Sequence, residues 1–67
     1  MKVQYFPDTD TLYLTLQNKP SIESEEVFPE ILIDFDAEGN VIGITIDHAS
    51  QKLDSLNVEA ILAAKAA

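Results

Sequence analysis

The stretch Ile31-Leu-Ile-Asp-Phe-Asp-Ala-Glu-Gly-Asn-Val-Ile-Gly-Ile-Thr-Ile46 decides the fold. Two runs rich in β-branched and aromatic residues flank a short polar loop, which is the pattern of a β-hairpin. Ala37 and Glu38 suit the corners of a type I turn. Asp36 suits its start, where a carboxylate accepts backbone hydrogen bonds, and Gly39 suits the positive φ of a G1 bulge that returns the chain antiparallel. In the arms, Ile31, Ile33 and Phe35 alternate with Leu32 and Asp34, and Ile42, Ile44 and Ile46 alternate with Val41, Gly43 and Thr45. That period of two predicts two half-buried strands. Gly43 inside a strand marks a bulge or a point where another chain or side chain comes close, and a tight packing contact is preferred to a ligand role.

Working toward the N-terminus, Ile22-Glu-Ser-Glu-Glu-Val-Phe28 reads as a weak, charged strand at a sheet edge, with its acids blunting that edge. Asn18-Lys-Pro-Ser21 separates it from Leu12-Tyr-Leu-Thr-Leu16, whose strict alternation puts Leu12, Leu14 and Leu16 on one face. Pro7-Asp-Thr-Asp10 turns the chain after a first run, Lys2 to Phe6. Five strands in meander order are expected, an α+β fold whose residues 1–50 form the β-meander and whose residues 51–67 extend it as a C-terminal helical segment. In that segment Asn57 suits a helix cap, Leu56 a staple to Ile61, and Val58, Ile61, Leu62 and Lys65 share a face up to Lys65. A further helical turn is predicted at Ala49-Ser-Gln-Lys-Leu53.

At 67 residues the chain is one domain with a marginal core. It has no cysteine and one histidine, so neither a disulfide framework nor a Cys/His zinc site is expected to reinforce it. Self-association is the remaining support. The stripes Leu12, Leu14, Leu16 and Ile42, Ile44, Ile46 offer more apolar face than one short helix covers, so they are read as the core or oligomer face and a homodimer is favoured. Twelve acidic against four basic residues give a net charge of −8, which disfavours nucleic acid and anionic membranes and favours a basic protein partner. The start at Met1 has no signal-peptide pattern and no apolar run approaches membrane-spanning length, so a cytoplasmic protein is expected.

No constellation reads as catalysis. Asp34-Phe-Asp-Ala-Glu-Gly39 matches the opening of an EF-hand loop, but its twelfth position is Thr45 and its flanks read as strands. His48 lies in Asp47-His-Ala-Ser50, too close in sequence to its neighbours for a triad; Ser50 or Asp47 is expected to cap the following helical turn, with His48 at the rim. Glu23, Glu25, Glu26 and Glu30 read as a solvated acidic edge rather than a glycosidase pair. No cofactor, metal or catalytic residue is assigned. Pro7, Asp36, Gly39 and Gly43 are read as structural positions. Tyr5, Asp8, Asp10, Tyr13 and Asp34 are the candidate contacts for a partner or ligand, as a second reading, small-ligand-binding or enzymatic, in which they line an oligomer interface.

The segments Tyr5-Phe-Pro-Asp-Thr-Asp-Thr-Leu-Tyr-Leu14, Glu23-Ser-Glu-Glu-Val27 and Ile33-Asp-Phe-Asp-Ala-Glu-Gly-Asn-Val-Ile-Gly-Ile44 together resemble the small bacterial and archaeal family called domain of unknown function 2283, over residues 2 to 50. Tyr5, Pro7, Asp10, Leu12, Tyr13, Asp34, Asp36, Gly39, Gly43, Ile44, Ala49 and Ser50 fit its pattern. Phe6 and Thr45 stand where the family usually has Asp and Glu, so no role resting on carboxylates there carries over. The resemblance implies a small β-rich protein and, through members encoded beside small toxin-like proteins, an antitoxin-like role. The expectation is a non-enzymatic interaction module; a purely self-assembling structural domain is the third reading.

Overall fold

The computed structural model describes residues 1–53. They form one antiparallel sheet of five strands and a short helix, an α+β fold: β1 (Lys2–Phe6), β2 (Thr11–Thr15), β3 (Glu23–Phe28), β4 (Ile31–Phe35), β5 (Val41–Asp47) and α1 (Ala49–Lys52). The helix expected from Asn57 to Lys65, with its Leu56 staple, lies outside the described residues.

The strand order is β1-β2-β5-β4-β3. Consecutive strands pair in the β1–β2, β3–β4 and β4–β5 hairpins, so the meander holds within each block. The junction of the blocks differs from strict sequence order, because β2 pairs with β5 and not with β3. Burial explains this. In a strict meander β3 would occupy the middle of the sheet, and all six of its residues are exposed. The central place goes to β5, whose Ile44 and Ile46 lie opposite Leu14 and Leu12 on one side and Ile33 and Ile31 on the other. Charged β3 is left at the rim, where its carboxylates stay hydrated.

To reach that rim the chain crosses one end of the sheet from Leu16 to Ile22. Leu16 and Gln17 donate their N–H groups to the Ile42 carbonyl at 2.8 and 3.2 Å, and Ile22 donates to the Phe35 carbonyl at 2.9 Å. Leu12, Leu14, Ile44 and Ile46 share one face by register, together with Ile31 and Ile33. Among the described residues the buried apolar side chains are Leu12, Ile42 and Ala49, and the others on that face are half-buried or, as Leu16, exposed.

α1 occupies the helical turn expected after β5, but its cap is not the expected one. His48 sits at the N-cap position in the left-handed region (φ 52) and its side chain makes no cap bond; neither Ser50 nor Asp47 caps the turn. The left-handed step instead presents the Ser50 N–H to the Asp10 carboxylate, at 3.1 Å to Oδ1, and the Ala49 N–H to the Asp10 carbonyl at 2.9 Å. The cap is supplied by a residue 40 positions away in sequence.

Candidate functional site

One end of the sheet gathers most of the chemistry. There β5 leaves the sheet between two hairpin turns, 7–10 and 29–30, and each turn catches it by a backbone bond: Asp47 N–H to the Glu30 carbonyl and Ala49 N–H to the Asp10 carbonyl, both 2.9 Å. Asp10, Glu30 and His48 all have positive φ (55, 69 and 52), a conformation that non-glycine residues rarely adopt. Pro29 fixes the first corner of its turn near −65° and Glu30 takes the second, the place a type II turn usually gives to Gly or Asn.

Each turn's carboxylate then holds a group from the β5 exit. Asp10 accepts from Ser50 Oγ at 2.6 Å and from Tyr5 Oη at 2.7 Å. These hydroxyl donors, Ser50 first, hold the Asp10 carboxyl below the usual carboxylate range, and the same bond raises the Tyr5 phenol. Glu30 accepts from Lys52 Nζ at 2.9 Å and pairs with His48 Nδ1; Lys52 and then His48 hold its carboxyl low. Lys52 also donates to the Asp47 carbonyl at 2.7 Å, and Thr11 Oγ1 donates to Asp47 Oδ1 at 3.2 Å. Ser50 and His48 are thus engaged by different carboxylates, so no hydroxyl here is set against an imidazole base as nucleophilic chemistry requires.

A second network lies across the middle of the sheet. Tyr13 Oη and Ser24 Oγ donate to the two oxygens of Asp34, at 3.1 and 2.6 Å. To reach Asp34 on β4 from β2, the Tyr13 ring passes over β5 at Gly43, where a Cβ would stand 2.6 Å from Tyr13 Oη and 3.2 Å from Asp34 Oδ2. Gly43 therefore leaves room for the tyrosine, the close approach its place in the sequence suggested. Burial, and then the Asp34 bond, raise the Tyr13 phenol. The pairing of β4 with β5 shifts register just beside it, between Asp34 and Phe35.

The opposite end of the sheet carries the β4–β5 turn. Asp36 is buried; its Oδ1 accepts from the N–H groups of Asn40 (2.8 Å) and Glu38 (3.0 Å), and Asn40 Nδ2 donates to Oδ2 at 3.3 Å. Gly39 takes φ 82 and donates its N–H to the Asp36 carbonyl at 3.1 Å. The Asn40 N–H leads the causes that hold the Asp36 carboxyl low, and Lys19 adds an ion pair at 3.6 Å. The EF-hand likeness dissolves here, since Asp34 is bound by Tyr13 and Ser24 while Asp36 is bound by its own turn. Among the described residues no group of three or more His, Cys, Asp or Glu is arranged to hold a metal ion.

The candidate contact residues do not form one site. Tyr5 meets Asp10 and Tyr13 meets Asp34, but Tyr5 lies opposite Leu12, the neighbour of Tyr13 in sequence, so the two tyrosines occupy opposite faces of the sheet. Asp8 is exposed in the 7–10 turn. Sequence reasoning did not assign partners to Ser24, Glu30 or Lys52. The Pro29-Glu30 break marks a turn, yet it gives no sign that Glu30 reaches forward to Lys52, 22 residues on.

What remains open to a partner is β3. It is one of the two terminal strands of the sheet, all its residues are exposed where β1 is partly buried, and it carries Glu23, Glu25 and Glu26 with no cation paired to them among the described residues. Ile22, Val27 and Phe28, exposed at 67, 50 and 63%, flank the acids. Two depressions, about 380 and 240 Å³, border Met1, Leu16 and Asn18 and, beside the start of β3, Lys19, Pro20 and Ile22 respectively.

Fold and networks define a small acidic domain of one antiparallel sheet, tied at one end by carboxylates. The family model described as Protein of unknown function (DUF2283) matches residues 2–50, well over half of the 67-residue chain, and the chain belongs to that family. No curated protein and no solved structure matches it. Most residues that carry the family likeness fall into the networks just described: Tyr5, Asp10, Ala49 and Ser50 at one end, Tyr13, Asp34 and Gly43 in the middle, Asp36 and Gly39 at the other.

Proposed function

We propose that this protein is a non-enzymatic interaction module that receives a basic protein partner along its acidic edge, in its most concrete form the antitoxin-like partner of a small basic toxin in the cytoplasm. The observation that carries the reading is β3: an exposed terminal strand whose three glutamates have no counter-charge among the described residues, on a chain of net charge −8. Such a field raises the encounter rate with cationic surfaces and disfavours anionic ones. Asp10, Glu30 and Asp36 at the ends of the sheet are each engaged by hydrogen-bond donors, whereas the three glutamates gathered on β3 face solvent. Among the described residues no helix is long and apolar enough to cross a membrane. Co-expression with the product of the adjacent gene, followed by co-purification and growth rescue, tests the reading. Rescue lost on reversing Glu23, Glu25 and Glu26 to lysine supports it, and rescue indifferent to those charges overturns it.

Self-association is the second reading, supported by the thin core: only Leu12, Ile42 and Ala49 among the described apolar side chains are buried, and none is wholly shut off from solvent. A twofold partner would cover the half-buried Leu14, Ile44 and Ile33 face. Light scattering at micromolar concentration decides it: a dimer that Leu14→Asp dissociates supports the reading, and a folded monomer removes it.

A further inference from the structure

Resting on the acidic-edge reading, we propose that the partner binds by strand addition: an extended basic segment pairs with the outer side of β3 and becomes a sixth strand of the sheet. The outer side of a terminal strand carries a row of N–H and C=O groups that the sheet does not use, and an incoming segment gains affinity by bonding them. The usable length is short. Pro20 precedes the strand, its pairing to β4 shifts between Glu26 and Phe28, and Pro29 follows, so the regular edge is Glu23 to Glu26.

Register and charge select the occupant. Glu23 and Glu25 lie opposite Phe35 and Ile33 and share a face; Ser24 and Glu26 lie opposite Asp34 and Leu32 on the other. An added strand sets its side chains about 5 Å from these, so cations fit opposite all three glutamates, on both faces of the segment. Exposed Ile22 at one end and Val27 and Phe28 at the other give apolar residues flanking the cations something to pack on. A second copy of this chain is the wrong occupant, because β3 laid on β3 brings glutamates together, and like charges directly opposite destabilise a strand pair. The acids therefore block the edge against its own kind and leave it open to a strand of the opposite charge.

The test uses the full chain and two synthetic peptides, each with three lysines on a β-forming core flanked by valines. One has an ordinary backbone. The other carries the same charges but is N-methylated along the hydrogen-bonding side. Binding is followed by amide chemical shifts and hydrogen exchange. The proposal expects the ordinary peptide to bind and to slow exchange in β3, and N-methylation to weaken binding at least about tenfold, the ratio equivalent to about 1.4 kcal/mol. Equal binding of both peptides, abolished by Glu23→Lys with Glu25→Lys and Glu26→Lys, overturns strand addition while leaving the acidic-edge reading in place. No binding of either peptide, or binding indifferent to those reversals, overturns both.

Discussion

The two ends of the sheet solve the same problem in different ways. At the β4–β5 turn the one positive φ falls on Gly39, and Asp36 is bound by residues two and four positions away. At the other end three positive φ values fall on Asp10, Glu30 and His48, and the longest-range bonds these residues make span 40, 22 and 18 positions. A left-handed residue with a Cβ costs about 1–2 kcal/mol, so a chain free to choose would place glycine at all of them. It does so only where the side chain has nothing to hold. Where two hairpins and the exit of β5 must be joined, strained residues are kept because their side chains reach across the fold.

The largest expected effect sets a scale for both ends. Gly43 has no room for a Cβ, with Tyr13 Oη at 2.6 Å, whereas Gly39 has nothing within 4 Å but sits at φ 82. Gly43→Ala is expected to cost about 1–3 kcal/mol through overpacking, and trimming the ring hydroxyl with Tyr13→Phe in the same chain should recover part of it. Gly39→Ala should cost about 1–2 kcal/mol through backbone strain alone, with no second-site rescue by trimming neighbours. Thermal melts read both, at about 4–8 °C per kcal/mol for a domain of this size. A Gly39→Ala chain as stable as the parent would mean that glycine is not needed at the local turn, and the contrast between the ends would fall.

Acid should reach both ends, and salt should separate them. Asp10, Glu30 and Asp36 all have carboxyls held below their ordinary range. A depressed carboxylate contributes stability that is present above its unfolded value, near pH 4, and is lost as pH falls through the folded value. Melting temperature should therefore fall steadily below about pH 4, and Asp36→Asn should remove part of that slope. Glu30 owes its shift to Lys52 and His48, while Asp36 owes its own chiefly to the Asn40 N–H. In an NMR titration at 1 M salt the Glu30 midpoint should rise toward normal more than that of Asp36, since salt screens an exposed ion pair more than a backbone hydrogen bond. Equal movement of the two would overturn the assignment.

The same contrast sets how far the sequence could be read. The Asp36–Gly39 turn is legible because its hydrogen-bond partners lie within the loop, and alternation in Leu12–Leu16 and Ile31–Ile46 exposes β2, β4 and β5 and their shared apolar face. The acids of β3 mark an edge strand. What local pattern does not carry is which strand lies beside β2: that follows from β3 being too charged for the middle, a competition between distant segments. The cap of α1 was illegible for the same reason, since Asp10 belongs to another turn. Tyr5 and Tyr13 each sit near acids in sequence, yet strand alternation sends them to opposite faces.

The smallest expected effect is the most exacting test of why strain is tolerated. His48 is left-handed at φ 52, its side chain is 54% exposed, and its contact is with Glu30, itself 42% exposed. His48→Gly relieves about 1 kcal/mol of backbone strain but gives back a similar amount, because glycine loses more freedom on folding. An exposed side-chain contact adds little to the balance. The melting temperature should therefore stay within a few degrees of the parent. Glu30→Gly relieves the same strain yet strips the partner of Lys52 as well as of His48, so it should melt lower than His48→Gly. If the two variants melt together, Lys52 is not anchored through Glu30, and the left-handed residue at the Pro29 turn is kept by turn geometry alone.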